Sequence, residues 1–156
     1  MFNLKLRTAS ADDIDLLIKL RIDYLHEDFG AISESDFRKI TSQLGQYYAE
    51  YLAKDEFSAV IGELDGEVVS CAFLAVSVKP GNPSFPNGRT GTVLNVLTYP
   101  DYRHRGFGRQ TMEFLLKEAR RLRLDHLSLS ATEDGRWLYE KLGFRYSAYP
   151  TMYVKL

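Results

Sequence analysis

The segment that most constrains the fold is a strand, a basic glycine-bearing turn and a helix in direct succession, followed by a second strand. Residues 92–99 are apolar and β-branched and stop at Pro100. Residues 109–123 put Met112, Leu115, Leu116, Ala119 and Leu122 on one helical face. Residues 126–131 read as a buried strand. Two strands joined through a helix pair in parallel, by a right-handed crossover. This unit commits the chain to an α/β domain.

The remaining elements surround that unit. Residues 2–7 alternate weakly and predict a first strand. Ser10 and Asp13 mark a helix start, with Asp12 and Asp13 at the positive end of the dipole. Ile14, Leu17, Ile18 and Leu25 form the stripe of that helix, with Arg21 in line. Ser33 or Ser35 caps a second helix whose stripe is Phe37, Ile40, Leu44, Tyr47, Tyr48 and Tyr51. Asp65-Gly66 predicts a hairpin between strands 59–64 and 67–78. Residues 79–91 hold three prolines and three glycines and predict a loop. Residues 135–142 predict a short helix stopped by Gly143, and 146–156 predict one or two terminal strands interrupted by Pro150. No linker divides the chain, so all of 1–156 is expected to be one mixed α/β domain.

Composition excludes several classes of function. Lysine plus arginine total 20 and aspartate plus glutamate total 21, for a net charge of -1. Such a balance argues against general nucleic-acid or membrane-surface binding, so a basic site must be local. The single cysteine, Cys71, makes no internal disulfide, rules out a Cys-rich metal cluster and suits a reducing compartment. No apolar run is long enough to span a membrane, and no apolar segment of signal-peptide type follows Lys5. A cytoplasmic location and no metal are the expectations.

Local basic charge is concentrated in the turn Pro100-Asp-Tyr-Arg-His-Arg-Gly-Phe-Gly-Arg109. Gly106 and Gly108 lack Cβ atoms, so backbone amides can approach a bulky anion. The following helix aims its free N–H groups and partial positive charge at the same place. Arg103, His104, Arg105 and Arg109 reinforce it. The arrangement suits a pyrophosphate. It is not a G-x-x-x-x-G-K-[ST] loop, and the absence of a third glycine weakens a dinucleotide-binding reading.

Arg103-x-x-Gly106-x-Gly108 resembles the R/Q-x-x-G-x-G/A signature of the GNAT superfamily of acyl-CoA-dependent N-acetyltransferases. Residues 95–100 look like the family's fourth strand. Leu138-Tyr139-Glu140-Lys141-Leu142-Gly143-Phe144 resembles its second signature, L-Y-x-x-x-G-F. The resemblance implies a single mixed sheet of six or seven strands with about four helices, splayed between the fourth and fifth strands. It also implies acetyl-CoA as co-substrate, with pantetheine held by Val96, Leu97 and Thr98 and the pyrophosphate held by residues 103–109, Phe107 included. Tyr139 would contact the cofactor and act as general acid. Many members carry an Asn that contacts the cofactor seven residues before that tyrosine, where this chain has Thr132 as the expected cofactor-binding residue, and Ala four residues before it, where this chain has Gly135. Some place a glutamate base on the fourth strand. Here Asn95 stands in that region, a candidate for positioning the acceptor, and no base is assigned.

Acetyl transfer to an amine makes definite demands. With an amine pKa near 10, about one molecule in a thousand is free base at neutral pH, so a base or a water chain must accept a proton. The oxyanion wants a backbone donor, which the strand near Thr98 can supply. The departing thiolate benefits from an acid, and a tyrosine is protonated at pH 7. Elsewhere, Cys71 reads as a core thiol rather than a nucleophile, His26-Glu27-Asp28 as a solvated helix end, and the tyrosine stripe as core. The leading expectation is an N-acetyltransferase acting on a small amine or peptide, as monomer or homodimer. The alternative is a catalytically weak acyl-CoA sensor. A nucleic-acid binder is disfavoured by the charge balance.

Overall fold

The computed structural model describes residues 3–156. Four helices, α1 (Ile14–Phe29), α2 (Glu34–Ala53), α3 (Phe107–Arg121) and α4 (Arg136–Lys141), pack on strands β1 (Lys5–Thr8), β2 (Phe57–Leu64), β3 (Glu67–Val78), β4 (Arg89–Thr98) and β5 (His126–Ser128). The strands form one sheet in the order β1-β2-β3-β4-β5. The first four run antiparallel to their neighbours, and β4 and β5 are parallel, with α3 as the crossover.

Both faces of the sheet are covered, which explains why β2 reads as an almost unbroken buried run. The strand period of two sorts its residues between two layers. Phe57, Ala59 and Ile61 of β2, with Cys71 and Phe73 of β3, pack under α1 and α2 against Leu17, Leu20, Leu44 and Tyr48. Val60, Ala72, Leu74 and Val93 face α3 and meet Met112, Leu115 and Ala119. Local signals set the element ends. Ser10 and Asp13 form a reciprocal capping box before α1, and Ser33 caps α2. Asp65 and Gly66 both take positive φ, 52° and 83°, as a two-residue hairpin turn requires.

Several expectations need correction. Among the described residues the sheet has five strands, not six or seven. Residues 146–156 make no ladder bonds, and Tyr149, Met152 and Tyr153 are exposed. Pro150 offers no N–H in the middle of that segment, and its apolar positions do not keep the alternation that would seat one face. With no strand on its outer edge, β5 shortens to three residues and is not buried. The loop after β3 ends before Arg89, so Gly91 lies inside β4. The first strand begins at Lys5, and the part of that expectation falling on Phe2 lies outside the described residues.

Two irregularities of β4 open the sheet beside α3. Strand β5 pairs with it only along Thr90–Thr92, so among the described residues β4 keeps β3 on one side from Val93 to Thr98 but has no strand on the side of β5. This is the splay. In addition, Cys71 opposes Leu97 while Phe73 opposes Leu94, so β4 carries one extra residue there. Asn95 occupies that bulge at φ 56°, a left-handed conformation that asparagine tolerates.

Candidate active site

The open edge of β4 runs directly toward the first turn of α3. Gly106 caps that helix in the left-handed region, φ 81°, and no side chain caps it. The amides of Gly108 and Arg109, in the first turn, therefore have no intrahelical acceptor. Gly108 is a different kind of glycine. A Cβ there would sit 3.5 Å from Thr98 Oγ1 and 3.7 Å from Leu138 Cδ2, ordinary contacts. The protein itself leaves room for alanine, which a helix prefers to glycine by about 1 kcal/mol. The bare backbone at Gly108 is thus explained by something outside the fold, at the junction of β4, α3 and α4.

The basic residues of the turn are more committed than their sequence suggests. Arg103 Nε donates to Thr98 O at 2.8 Å, and its guanidinium also pairs with Glu27 of α1. It therefore closes the turn onto α1. Arg109 donates to Glu113 at 2.9 Å, and the Arg105 guanidinium lies 5.6 Å from the Tyr102 ring centroid. His104 is left-handed at φ 64°. Phe107 is 1% exposed and packs with Leu64 and Val69, so only its backbone faces the turn. An anion at this place would rest chiefly on backbone amides and the α3 dipole.

Tyr139 lies on α4, with its ring edge-on to Phe144 at 6.0 Å and half-buried against the α3-side core. Among the described residues its hydroxyl has no hydrogen-bond partner. Burial raises its pKa above the ordinary tyrosine value, and the nearby Tyr24 hydroxyl adds to the effect. The group therefore stays protonated and free to donate. Thr132 caps the entry to α4 by accepting from Gly135 N at 3.2 Å.

Asn95 is 2% exposed and does not project into the opening. Its Nδ2 donates to Leu20 O at 3.2 Å, and its Oδ1 accepts from Arg21 Nη1 at 3.4 Å. Val96 is half-buried toward α3 and Leu97 is 5% exposed toward α1, leaving the backbone of both on the open edge. Cys71 donates its thiol to Asn95 O at 3.5 Å, and burial pushes its pKa up to about 12, so it is an inert core group.

The sequence singled out neither Tyr24 nor a network at the end of β4. The Tyr99 hydroxyl donates to Asp23 at 2.5 Å, and Lys19 donates to the same carboxylate at 2.7 Å. Burial and Asp23 push the Tyr99 pKa up to about 12. These bonds tie the strand end to α1. The spacing of Lys19, Asp23 and Glu27 at successive helical turns was the available signal. A cavity of about 880 Å³ lies elsewhere, between β5, α4 and residues 145–151, and reaches the site only at Tyr139. Among the described residues, no group of His, Cys, Asp and Glu is placed to hold a metal, and no helix is long and apolar enough to cross a membrane.

The chain matches the acetyltransferase (GNAT) family over residues 21–144. A predicted acetyltransferase from Clostridium acetobutylicum, solved with acetyl-CoA, is 27% identical, with a TM-score of 0.83 over 99% of this chain and 96% of that one. A GCN5-related N-acetyltransferase from Ralstonia eutropha is 22% identical, with a TM-score of 0.82 over 97% and 99% of the two chains. A ribosomal-protein-alanine N-acetyltransferase from Brucella melitensis is 18% identical, with a TM-score of 0.70 over 99% of each. At their identities the latter two share the fold alone. No curated protein matches the chain in sequence. The glycine turn at the mouth of α3, the splay beside β4 and the family match together place this chain in the GNAT acetyltransferase family.

Proposed function

We propose that the protein transfers the acetyl group of acetyl-CoA to a primary amine of a small molecule or peptide, by direct attack in a ternary complex. The observation that carries this reading is Gly108, which has room for a Cβ yet leaves the backbone bare at an uncapped helix mouth. The acetyl-CoA of the Clostridium structure supports the choice of donor.

In this reading the amides of residues 106–109 bind the pyrophosphate, and the open edge of β4 at Val96, Leu97 and Thr98 aligns the pantetheine by main-chain hydrogen bonds. The amine nitrogen attacks the thioester carbonyl, forming the C–N bond and an oxyanion held by a β4 amide. As the intermediate collapses, the C–S bond breaks and Tyr139 gives its proton to the sulfur. The proton lost by the amine leaves through water and restores Tyr139. Asn95 acts one step back, by fixing the bulge of β4.

The test is release of free thiol from acetyl-CoA with a panel of primary amines. Amine-dependent release is the expected result. Stabilisation by acetyl-CoA with no release from any amine would overturn the catalytic reading in favour of a sensor. The absence of a carboxylate on β4 makes that the second reading worth the comparison.

A further inference from the structure

Among the described residues, Arg21 of α1 is a charged side chain with no counter-ion, and it lies against the bulge of β4. Its neighbours on α1 are matched: Lys19 with Asp23, and Glu27 with Arg103. Arg21 is half-buried and has no carboxylate partner among the described residues. It touches the Asn95 side-chain oxygen at 3.4 Å, which occupies one of the five N–H donors of a guanidinium. Its plane lies 5.9 Å from the Tyr24 ring centroid, and it is close enough to the buried Tyr48 to bias that hydroxyl's ionisation. The Tyr24 hydroxyl is in turn near enough to Tyr139 to add to the rise of its pKa. The contacts thus run from Asn95 in the bulge of β4 to Arg21 and on to Tyr24, both on α1.

A partly desolvated guanidinium costs free energy unless its donors are used. Here the fold uses one and holds the rest in place, since the aromatic ring and the Asn95 oxygen fix the head-group. A planar fork of this kind recognises carboxylate or phosphate. We propose that the acceptor carries such an anion next to its reactive amine, and that Arg21 binds it. The proposal rests on the acetyltransferase reading and names the substrate class of that site. Free α-amino acids are the simplest members of the class, and an amino-alkyl phosphate is the alternative source of the same charge.

The experiment compares matched acceptors on the wild type, Arg21→Met and Arg21→Lys. One pair is free α-amino acids against their α-amino amides, the other O-phosphoethanolamine against ethanolamine. The wild type should prefer the anionic member of at least one pair by about tenfold or more in kcat/KM, the worth of a charge-assisted hydrogen bond. Arg21→Met should erase that preference through KM for the anionic member, leave the neutral member unchanged and keep the thermal shift given by acetyl-CoA. Arg21→Lys should restore part of it. The pair that shows the effect identifies the anion. Equal or better use of the neutral members, or a preference that survives in Arg21→Met, would overturn the proposal. If no amine releases thiol, the acetyltransferase reading fails instead. Melting curves with CoA plus each member of a pair then still decide Arg21, because only the anionic member should add an Arg21-dependent shift.

Discussion

Gly135 is the residue that makes room for Tyr139. A Cβ at Gly135 would lie 2.8 Å from Cε2 of the Tyr139 ring, too close for the ring to stay where it is. The ring leans back over the turn that starts α4, and a side chain at Gly135 would push it away. Gly135→Ala should therefore move the Tyr139 hydroxyl without touching the cofactor turn. Misplacing a catalytic group by about 1 Å can cost up to about 10²-fold in rate. The expected outcome is a lower kcat with unchanged acetyl-CoA affinity, read from steady-state kinetics and a binding titration. An unchanged kcat would mean that the ring's position is not critical.

Tyr139→Phe removes the hydroxyl and keeps the ring. The hydroxyl has no hydrogen-bond partner among the described residues, so no buried group is orphaned and stability should hold. Loss of a positioned acid lowers kcat by about 10²–10⁴, with the low end expected because a thiol leaves tolerably unaided. The pH profile gives an independent reading. Catalysis needs Tyr139 protonated, and burial raises its pKa above the ordinary value. Activity should fall only as the pH climbs past that raised value, above the ordinary tyrosine range. The phenylalanine variant should lack this upper limb. A kcat within about twofold of wild type would return Tyr139 to the core.

At Gly108 two substitutions separate folding from binding. Alanine meets only ordinary contacts at Thr98 and Leu138, so Gly108→Ala should fold at least as well as wild type. Gly108→Val puts an isopropyl group at the helix mouth, between Thr98, Leu138 and the amides of the first turn. It should lose acetyl-CoA binding by well over tenfold while circular dichroism shows an intact fold. Wild-type affinity in folded Gly108→Val would reduce the glycine to a turn residue. It would also remove the observation on which the proposed function rests.

Much of this arrangement was legible in the residues, for physical reasons that differ by element. The hairpin at Asp65-Gly66, the caps at Ser10 and Ser33 and the glycine turn before α3 are local signals, settled by conformations that few residues accept. The third and fourth strands were visible because burial on both faces leaves long apolar runs. The bulge at Asn95 was not, since one inserted residue leaves no periodic trace in a strand buried on both sides. Nor was the commitment of Arg103 to Glu27, a pairing across 76 positions of sequence that only the folded chain brings about. The expected terminal strands are absent for a different reason. Tyrosines and valine at 146–154 have strand propensity, but propensity without alternation or a ladder partner does not make a strand.

The division of labour at the α3 mouth gives a last prediction, about ligands rather than variants. The arginines of the turn hold other groups: Arg103 its own strand end and Glu27, Arg109 the glutamate one turn on. Affinity for the donor should therefore come from amides and the helix dipole acting on the pyrophosphate, with pantetheine contacts along β4 adding less. CoA at 100 times its dissociation constant should stabilise the fold by about 2.7 kcal/mol, a melting shift of about 5–10 °C for a chain of this size. Pantetheine at the same concentration keeps the contacts proposed along β4 and loses the pyrophosphate together with the phosphoadenosine beyond it, so its shift should be a small fraction of that. Arg109→Met should leave the CoA shift nearly intact, because its head-group is paired along the helix surface. Arg103→Met should lower the melting temperature of the free protein as well, since it unfastens the turn from α1. Equal shifts from CoA and pantetheine would show that the helix mouth does not bind phosphate. Loss of the CoA shift in Arg109→Met would show that side chains, not amides, carry the binding.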